Sequence, residues 1–135
     1  MSGEEPLMSQ PRLLLIDDEP ALADFLASAA TESGFEPHVT ERDDEFRESF
    51  LANRPEMVAL DLGMPGMDGV ELLRFLAEQD YRAPVLIFSG FDRRVLESAF
   101  RLGEALGLNM AGPVEKPVRF EILEQVLTEL RSSLV

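Results

Sequence analysis

Asp61-Leu62-Gly63-Met64-Pro65-Gly66-Met67-Asp68-Gly69 follows directly on Met57-Val58-Ala59-Leu60, and this junction decides the fold. Four consecutive apolar residues with no alternation predict a strand buried on both faces, the signature of a parallel sheet. Three glycines and one proline within the next nine residues break that strand with an ordered polar loop, and a new amphipathic segment begins near Val70. Asp61 is therefore expected at a strand's carboxyl end, facing outward.

Upstream, Arg12-Leu13-Leu14-Leu15-Ile16 is another apolar run, ending in Asp17-Asp18-Glu19-Pro20. There, a capping acid and an early proline predict the start of a helix. Leu22, Phe25, Leu26 and Ala29 continue it at helical spacing, and Gly34 stops it. Phe35 to Thr40 reads as a short, less apolar strand at an edge, and Arg42 to Ala52 as a charged helix presenting Phe46, Phe50 and Leu51. Beyond the Asp61 loop, Val70, Leu73, Leu76 and Ala77 form a helical face, and Pro84 to Phe88 a fourth strand ending at Ser89-Gly90. Asp92 to about Leu108 is expected as a helix with Val95, Ala99, Leu102 and Leu106 inward, bent or frayed near Gly103 and Gly107. Asn109 to Glu115 is a fifth strand, weakened by Gly112 and Pro113, that delivers Lys116-Pro117. The last helix carries Phe120, Leu123, Leu127 and Leu130 and runs nearly to Val135.

Five strands alternating with five helices predict an α/β, flavodoxin-like, doubly wound parallel sheet in the order 2-1-3-4-5. The 135 residues fit one domain, here 11–135, behind a disordered leader over 1–10 in which Met8 is an alternative start. With 45% hydrophobic residues but no long apolar run, and with an acidic start unlike a signal peptide, the chain is expected to be cytoplasmic and to make no membrane contact. A net charge of -14 argues against direct binding to nucleic acid, which requires cations to neutralise phosphates. The absence of cysteine excludes disulfides and thiolate metal sites.

The predicted topology brings chemistry together. Asp17 and Asp18 end strand 1, Asp61 strand 3, Ser89 strand 4 and Lys116 strand 5, all on one rim. Neighbouring strands lie about 4.8 Å apart, so the acids of strands 1 and 3 can share a cation and a long lysine can reach them from strand 5. Carboxylate oxygens suit a hard ion such as Mg²⁺ that also accepts phosphoryl oxygens. Were Asp61 to attack a phosphoryl donor, the resulting acyl phosphate would carry about -1.5 to -2 charge. Mg²⁺, the Ser89 hydroxyl and the Lys116 ammonium would stabilise it. Taken singly, each residue has an ordinary reading: Asp17-Asp18 as a helix cap, Asp61 as a turn-starting acid, Ser89 as uninformative. Lys116, the one lysine beside eleven arginines, is less ordinary, since an ammonium is a compact point charge. The conjunction of four strand ends on one rim outweighs the single readings.

On Ile16-Asp17-Asp18-Glu19, Asp61 to Gly69, Ser89-Gly90 and Lys116-Pro117, the chain from Arg12 to Leu134 resembles the receiver domain of two-component response regulators. The resemblance implies that Asp61 accepts phosphate from a sensor histidine kinase or phosphotransfer protein. It also implies that Asp18, Asp61 and the Gly63 carbonyl bind Mg²⁺, with Asp17 assisting through water, and that Ser89 and Lys116 engage the phosphoryl group. A receiver is no enzyme beyond its own phosphotransfer and dephosphorylation, and passes its signal to a downstream protein or a second copy as a homodimer. Two departures stand out. Pro113 occupies the position, three residues before the lysine, where receivers usually carry an aromatic switch, so that switch is expected not to operate. Ser89, Phe91 and the fourth helix are then left as carriers. The long Leu102 to Gly112 segment is similar to receivers associated with EAL-type cyclic-di-GMP phosphodiesterases. Alternative readings are a phosphorylation-independent interaction module, the regulatory domain of a larger cyclic-di-GMP phosphodiesterase, and, weakest, a flavin-binding fold, which lacks its phosphate loop here.

Overall fold

The computed structural model describes residues 10–62, 69–89 and 93–134. Its strands are β1 (Arg12–Ile16), β2 (Glu36–Thr40), β3 (Met57–Asp61), β4 (Pro84–Ser89) and β5 (Asn109–Glu115). Its helices are α1 (Pro20–Glu32), α2 (Asp43–Ala52), α3 (Gly69–Glu78), α4 (Arg93–Ala105) and α5 (Phe120–Ser133). The sheet is parallel throughout, in the order β2-β1-β3-β4-β5, as the alternating pattern requires. Every residue of β3 and β4 is buried, whereas β2 and β5, at the edges, are half open. Among the described residues no helix is long and apolar enough to cross a membrane.

Strand alternation sorts the core into two layers. Leu14, Ile16, Val58, Leu60, Val85 and Ile87 point to one face and pack under α2, α3 and α4. Leu13, Leu15, Met57, Ala59, Leu86 and Phe88 point to the other, under α1 and α5. Phe50 anchors the first layer with edge-on contacts to Phe75 and Tyr81 at centroid distances of 5.4 and 5.1 Å. In the second, Ser33 Oγ at the end of α1 lies 2.8 Å from Ala29 O and 3.1 Å from Glu124 O, tying α1 to α5.

Several local expectations are corrected. Glu19 is the residue that caps α1, without a side-chain hydrogen bond, and Pro20 opens the helix; the acid of the pair instead folds back, Asp17 Oδ1 accepting the Glu19 N–H at 3.0 Å. On α4 and just beyond it, Ala99, Leu102 and Leu106 pack against the core as expected, but Val95 is 50% exposed and Leu96, at 2%, is buried in its place. Val70 is likewise open, with Leu72 and Phe75 buried instead, and Leu51 on α2 faces solvent. Gly103 lies inside α4, two residues before its end, and a Cβ there would collide with the Met110 side chain of β5. Gly107, at φ +88°, lies just beyond the helix, where its N–H bonds to Glu104 O at 3.0 Å. Gly112, at φ +84°, lies in a register shift between β4 and β5, where Leu86 pairs with Ala111 but Phe88 pairs with Val114. One extra residue is thus accommodated in β5, as a bulge on an edge strand.

Candidate functional site

The parallel register delivers the polar residues to the carboxyl edge. Ile16 pairs with Leu60, so the chain leaving β1 emerges next to Asp61, the last residue of β3. Asp17 is held there by its own N–H, which donates to Thr40 O at 3.0 Å, and by the turn to Glu19. Asp61 pairs with Phe88, and the Leu62 N–H donates to Phe88 O at 2.9 Å. On the far side, the Lys116 N–H donates to Ser89 O at 2.8 Å and locks the end of β5 to the end of β4.

These ties bring Asp17, Asp18, Asp61, Ser89 and Lys116 to one rim, as the sequence predicts. Oxygens of Asp17, Asp18 and Asp61 lie within 4.8 Å of one another. Lys116 Nζ stands 3.1 Å from Asp61 Oδ2 and 3.7 Å from Asp17 Oδ2, with its side chain 14% exposed. Asp61 does not stand open to solvent as the turn-starting picture implies: it is 4% exposed, Asp17 1%, and Ser89 is buried with them, while Asp18 is exposed. Gly63, whose carbonyl the family resemblance adds to the cation's ligands, and Phe91 lie outside the described residues.

Electrostatics show why such a site calls for a cation. Burial pushes the Asp17 carboxyl up to about 6; the Glu19 N–H opposes this, the neighbouring Asp61 charge adds to it, and Lys116 lowers it again. Asp17 Oδ2 is buried and, among the described residues, accepts no hydrogen bond. A buried carboxylate oxygen with an unused lone pair, inside a cluster of three acids and only one close ammonium, fits a hard divalent cation such as Mg²⁺. The donor set contains oxygen alone, which excludes the thiolate and imidazole chemistry of a structural zinc centre.

The sequence reading passed over Phe88. Its ring lies under the lysine, with Nζ 5.2 Å from the centroid, and it borders a cavity of about 370 Å³ between α1 and α5 lined by Leu22, Phe25, Val114 and Val118. As the fifth letter of an apolar strand it reads only as core; the signal that could have found it is its place immediately before Ser89, on the strand next to the one that carries the lysine.

The family model for the response regulator receiver domain matches residues 13–128. A response regulator from Colwellia psychrerythraea, of solved structure, is 32% identical and superposes with a TM-score of 0.74 over 92% of this chain and 98% of that one. The C4-dicarboxylate transport transcriptional regulatory protein DctD of Pseudomonas aeruginosa is 36% identical over 90 residues, which are 67% of this chain and 20% of DctD. Chemotaxis protein CheY of Treponema pallidum is 28% identical over 134 residues, covering 96% of this chain and 90% of CheY. The chain thus spans a fifth of the length of DctD, and between 17% and 37% of six other curated regulatory proteins that it matches.

Proposed function

The chain belongs to the response regulator receiver domain family of two-component signalling, and on that premise we propose that Asp61 is its phosphoacceptor, with Asp17 and Asp18 as cation ligands and Ser89 and Lys116 as the groups that hold the transferred phosphoryl. The observation that carries this reading is the Lys116 ammonium 3.1 Å from Asp61 Oδ2, within a trio of acids whose oxygens lie inside 4.8 Å.

Receiver domains hold Mg²⁺ at an acidic pocket; when bound here it would sit among Asp17, Asp18 and Asp61 and neutralise charge on the phosphoryl oxygens. The remaining chemistry belongs to the chain. An Asp61 carboxylate oxygen forms the new bond to phosphorus as the bond to the donor breaks: a phosphoimidazole nitrogen, for a sensor histidine kinase or phosphotransfer protein. The departing imidazole keeps the electron pair. Lys116 and the Ser89 hydroxyl supply positive charge and a donor proton to the phosphoryl oxygens, and their burial strengthens both interactions relative to water. No general base is needed, since a carboxylate nucleophile has no proton to lose as it attacks. Hydrolysis of the acyl phosphate by water releases inorganic phosphate and returns Asp61 to its starting state. The output passes to a downstream protein, or to a second copy of the chain as a homodimer.

Incubation with acetyl phosphate and Mg²⁺, followed by intact mass measurement, tests the reading: the wild type gains one phosphoryl group and Asp61→Ala gains none. No adduct on the wild type across donors and pH would refute the phosphoacceptor function. An adduct surviving in Asp61→Ala would move it to another residue.

A further inference from the structure

Lys116 reaches the acids from the least regular strand of the sheet. β5 is an edge strand with a register shift at Gly112, and a four-carbon side chain with a compact charge has many rotamers available. Its ammonium nonetheless lies close to two carboxylates and an aromatic face: 3.1 Å from Asp61 Oδ2, 3.7 Å from Asp17 Oδ2 and 5.2 Å from the centre of the Phe88 ring. Phe88 is itself immobilised. It is buried, it pairs with Asp61 in the β3–β4 register, its carbonyl accepts the Leu62 N–H at 2.9 Å, and the following carbonyl, of Ser89, accepts the Lys116 N–H at 2.8 Å. One residue of β4 therefore braces the backbone just after the acceptor and lays its ring under the lysine.

We propose that Phe88 is a positioning residue for phosphotransfer, its ring acting as a cation–π platform that holds the Lys116 ammonium against Asp61. This rests on the reading of Asp61 as phosphoacceptor. The ring face attracts the ammonium through its quadrupole, and burial beside an apolar cavity makes that attraction stronger than at an exposed site. The acids need no help from the ring, so it acts on the lysine and not on cation binding.

Because Lys116 is the only lysine, its side chain gives an unambiguous NMR signal. In the wild type the ε-methylene protons are expected to be displaced by the ring current of Phe88, and to return to the random-coil position in Phe88→Leu. The rate of Asp61 phosphorylation by acetyl phosphate at saturating Mg²⁺ should fall about fivefold in Phe88→Leu, a loss in the range of a partly desolvated cation–π contact, while Mg²⁺ affinity changes less than twofold. In a Lys116→Ala background the same replacement should have no further effect on the rate. Random-coil shifts in the wild type overturn the proposal without any variant. So does an unchanged rate in Phe88→Leu, or an equal loss with and without Lys116, which would mark a structural role only. Phe88→Met, which keeps apolar volume without a ring, replaces the leucine variant if the latter does not fold. If the wild type accepts no phosphoryl group, the phosphoacceptor reading has failed, and the wild-type ring-current shift still decides whether the platform exists.

Discussion

β3 and β5 supply the two partners of the central ion pair from opposite structural circumstances. β3 lies mid-sheet, buried at every residue and paired in unbroken register with both neighbours, so Asp61 is placed by the sheet itself. β5 lies at the edge, half open and bulged, and its lysine is aimed by contacts beyond the ladder: the tie to Ser89 O, the two carboxylates and the Phe88 ring. The carboxylate is rigid by architecture and the ammonium by local contacts. Damage to β3 should therefore cost stability first, whereas damage to β5 should cost the site first.

The largest expected effect tests the β3 side. Leu60 is fully buried beside Asp61 and packs with Ile16, Leu72 and Ile87 in the layer under α2, α3 and α4. Leu60→Ala should destabilise the protein by about 2–5 kcal/mol, from lost transfer energy and the cavity left behind. Val114→Ala, two residues before the lysine on half-open β5, should cost about 1 kcal/mol. Urea denaturation of the two variants measures both, and equal losses would remove the contrast between the strands.

The same contrast explains what was legible in the sequence. Asp17, Asp61, Ser89 and Lys116 could be placed from sequence because each ends a strand, and a parallel topology sends all carboxyl ends to one rim. Strand order followed from the alternation with helices. Finer features escaped because local pattern did not determine them. Val95 and Leu96 are adjacent apolar residues, and either can head an inward stripe; the turn of α4 against β4 and β5 selects Leu96. Gly103 reads as a helix breaker, yet it is small because Met110 of β5 packs against it, a contact between elements. The shift at Gly112 was visible only as a weak strand, since a bulge is a relation between two strands. Phe88 was hidden by its own strand, where an aromatic residue is ordinary core.

The next effect probes that bulge. Gly112 holds φ +84°, and a Cβ there would lie 3.0 Å from Leu86 Cδ1 and 3.1 Å from the Val114 nitrogen. Gly112→Ala should therefore cost about 1–2 kcal/mol through left-handed backbone strain and this crowding. The sharper consequence is at the site: a shifted β5 end misplaces Lys116, so affinity for beryllofluoride, a phosphoryl mimic, should fall several-fold more than in Val114→Ala at matched stability loss. If both variants lose affinity in proportion to stability alone, β5 does not aim the lysine through its bulge.

A further effect separates the acids from the lysine through pH. The Asp17 carboxyl is pushed up to about 6 from 3.8, first by burial. Between those values the folded protein keeps a proton that the unfolded chain has already released. Folded-state proton binding then exceeds unfolded, and by linkage stability declines as pH rises through that window. Above about 6 the decline is complete, because Asp17 is ionised in both states and the Glu19 N–H and Lys116 offset its burial only in part. Asp17→Asn removes this titration, so its stability profile across the window should be flatter than the wild type's, and at neutral pH without divalent cation it should be the more stable of the two. Mg²⁺ should reverse the order: by binding the ionised wild-type cluster it would stabilise the folded state by mass action and recover what burial costs, while the asparagine variant should gain less. Urea midpoints at several pH values, with and without Mg²⁺, read both predictions. A wild-type profile parallel to that of Asp17→Asn would show that Lys116 already compensates Asp17 fully, and the division between rigid acids and a locally held cation would have to be redrawn with Asp17 on the lysine's side.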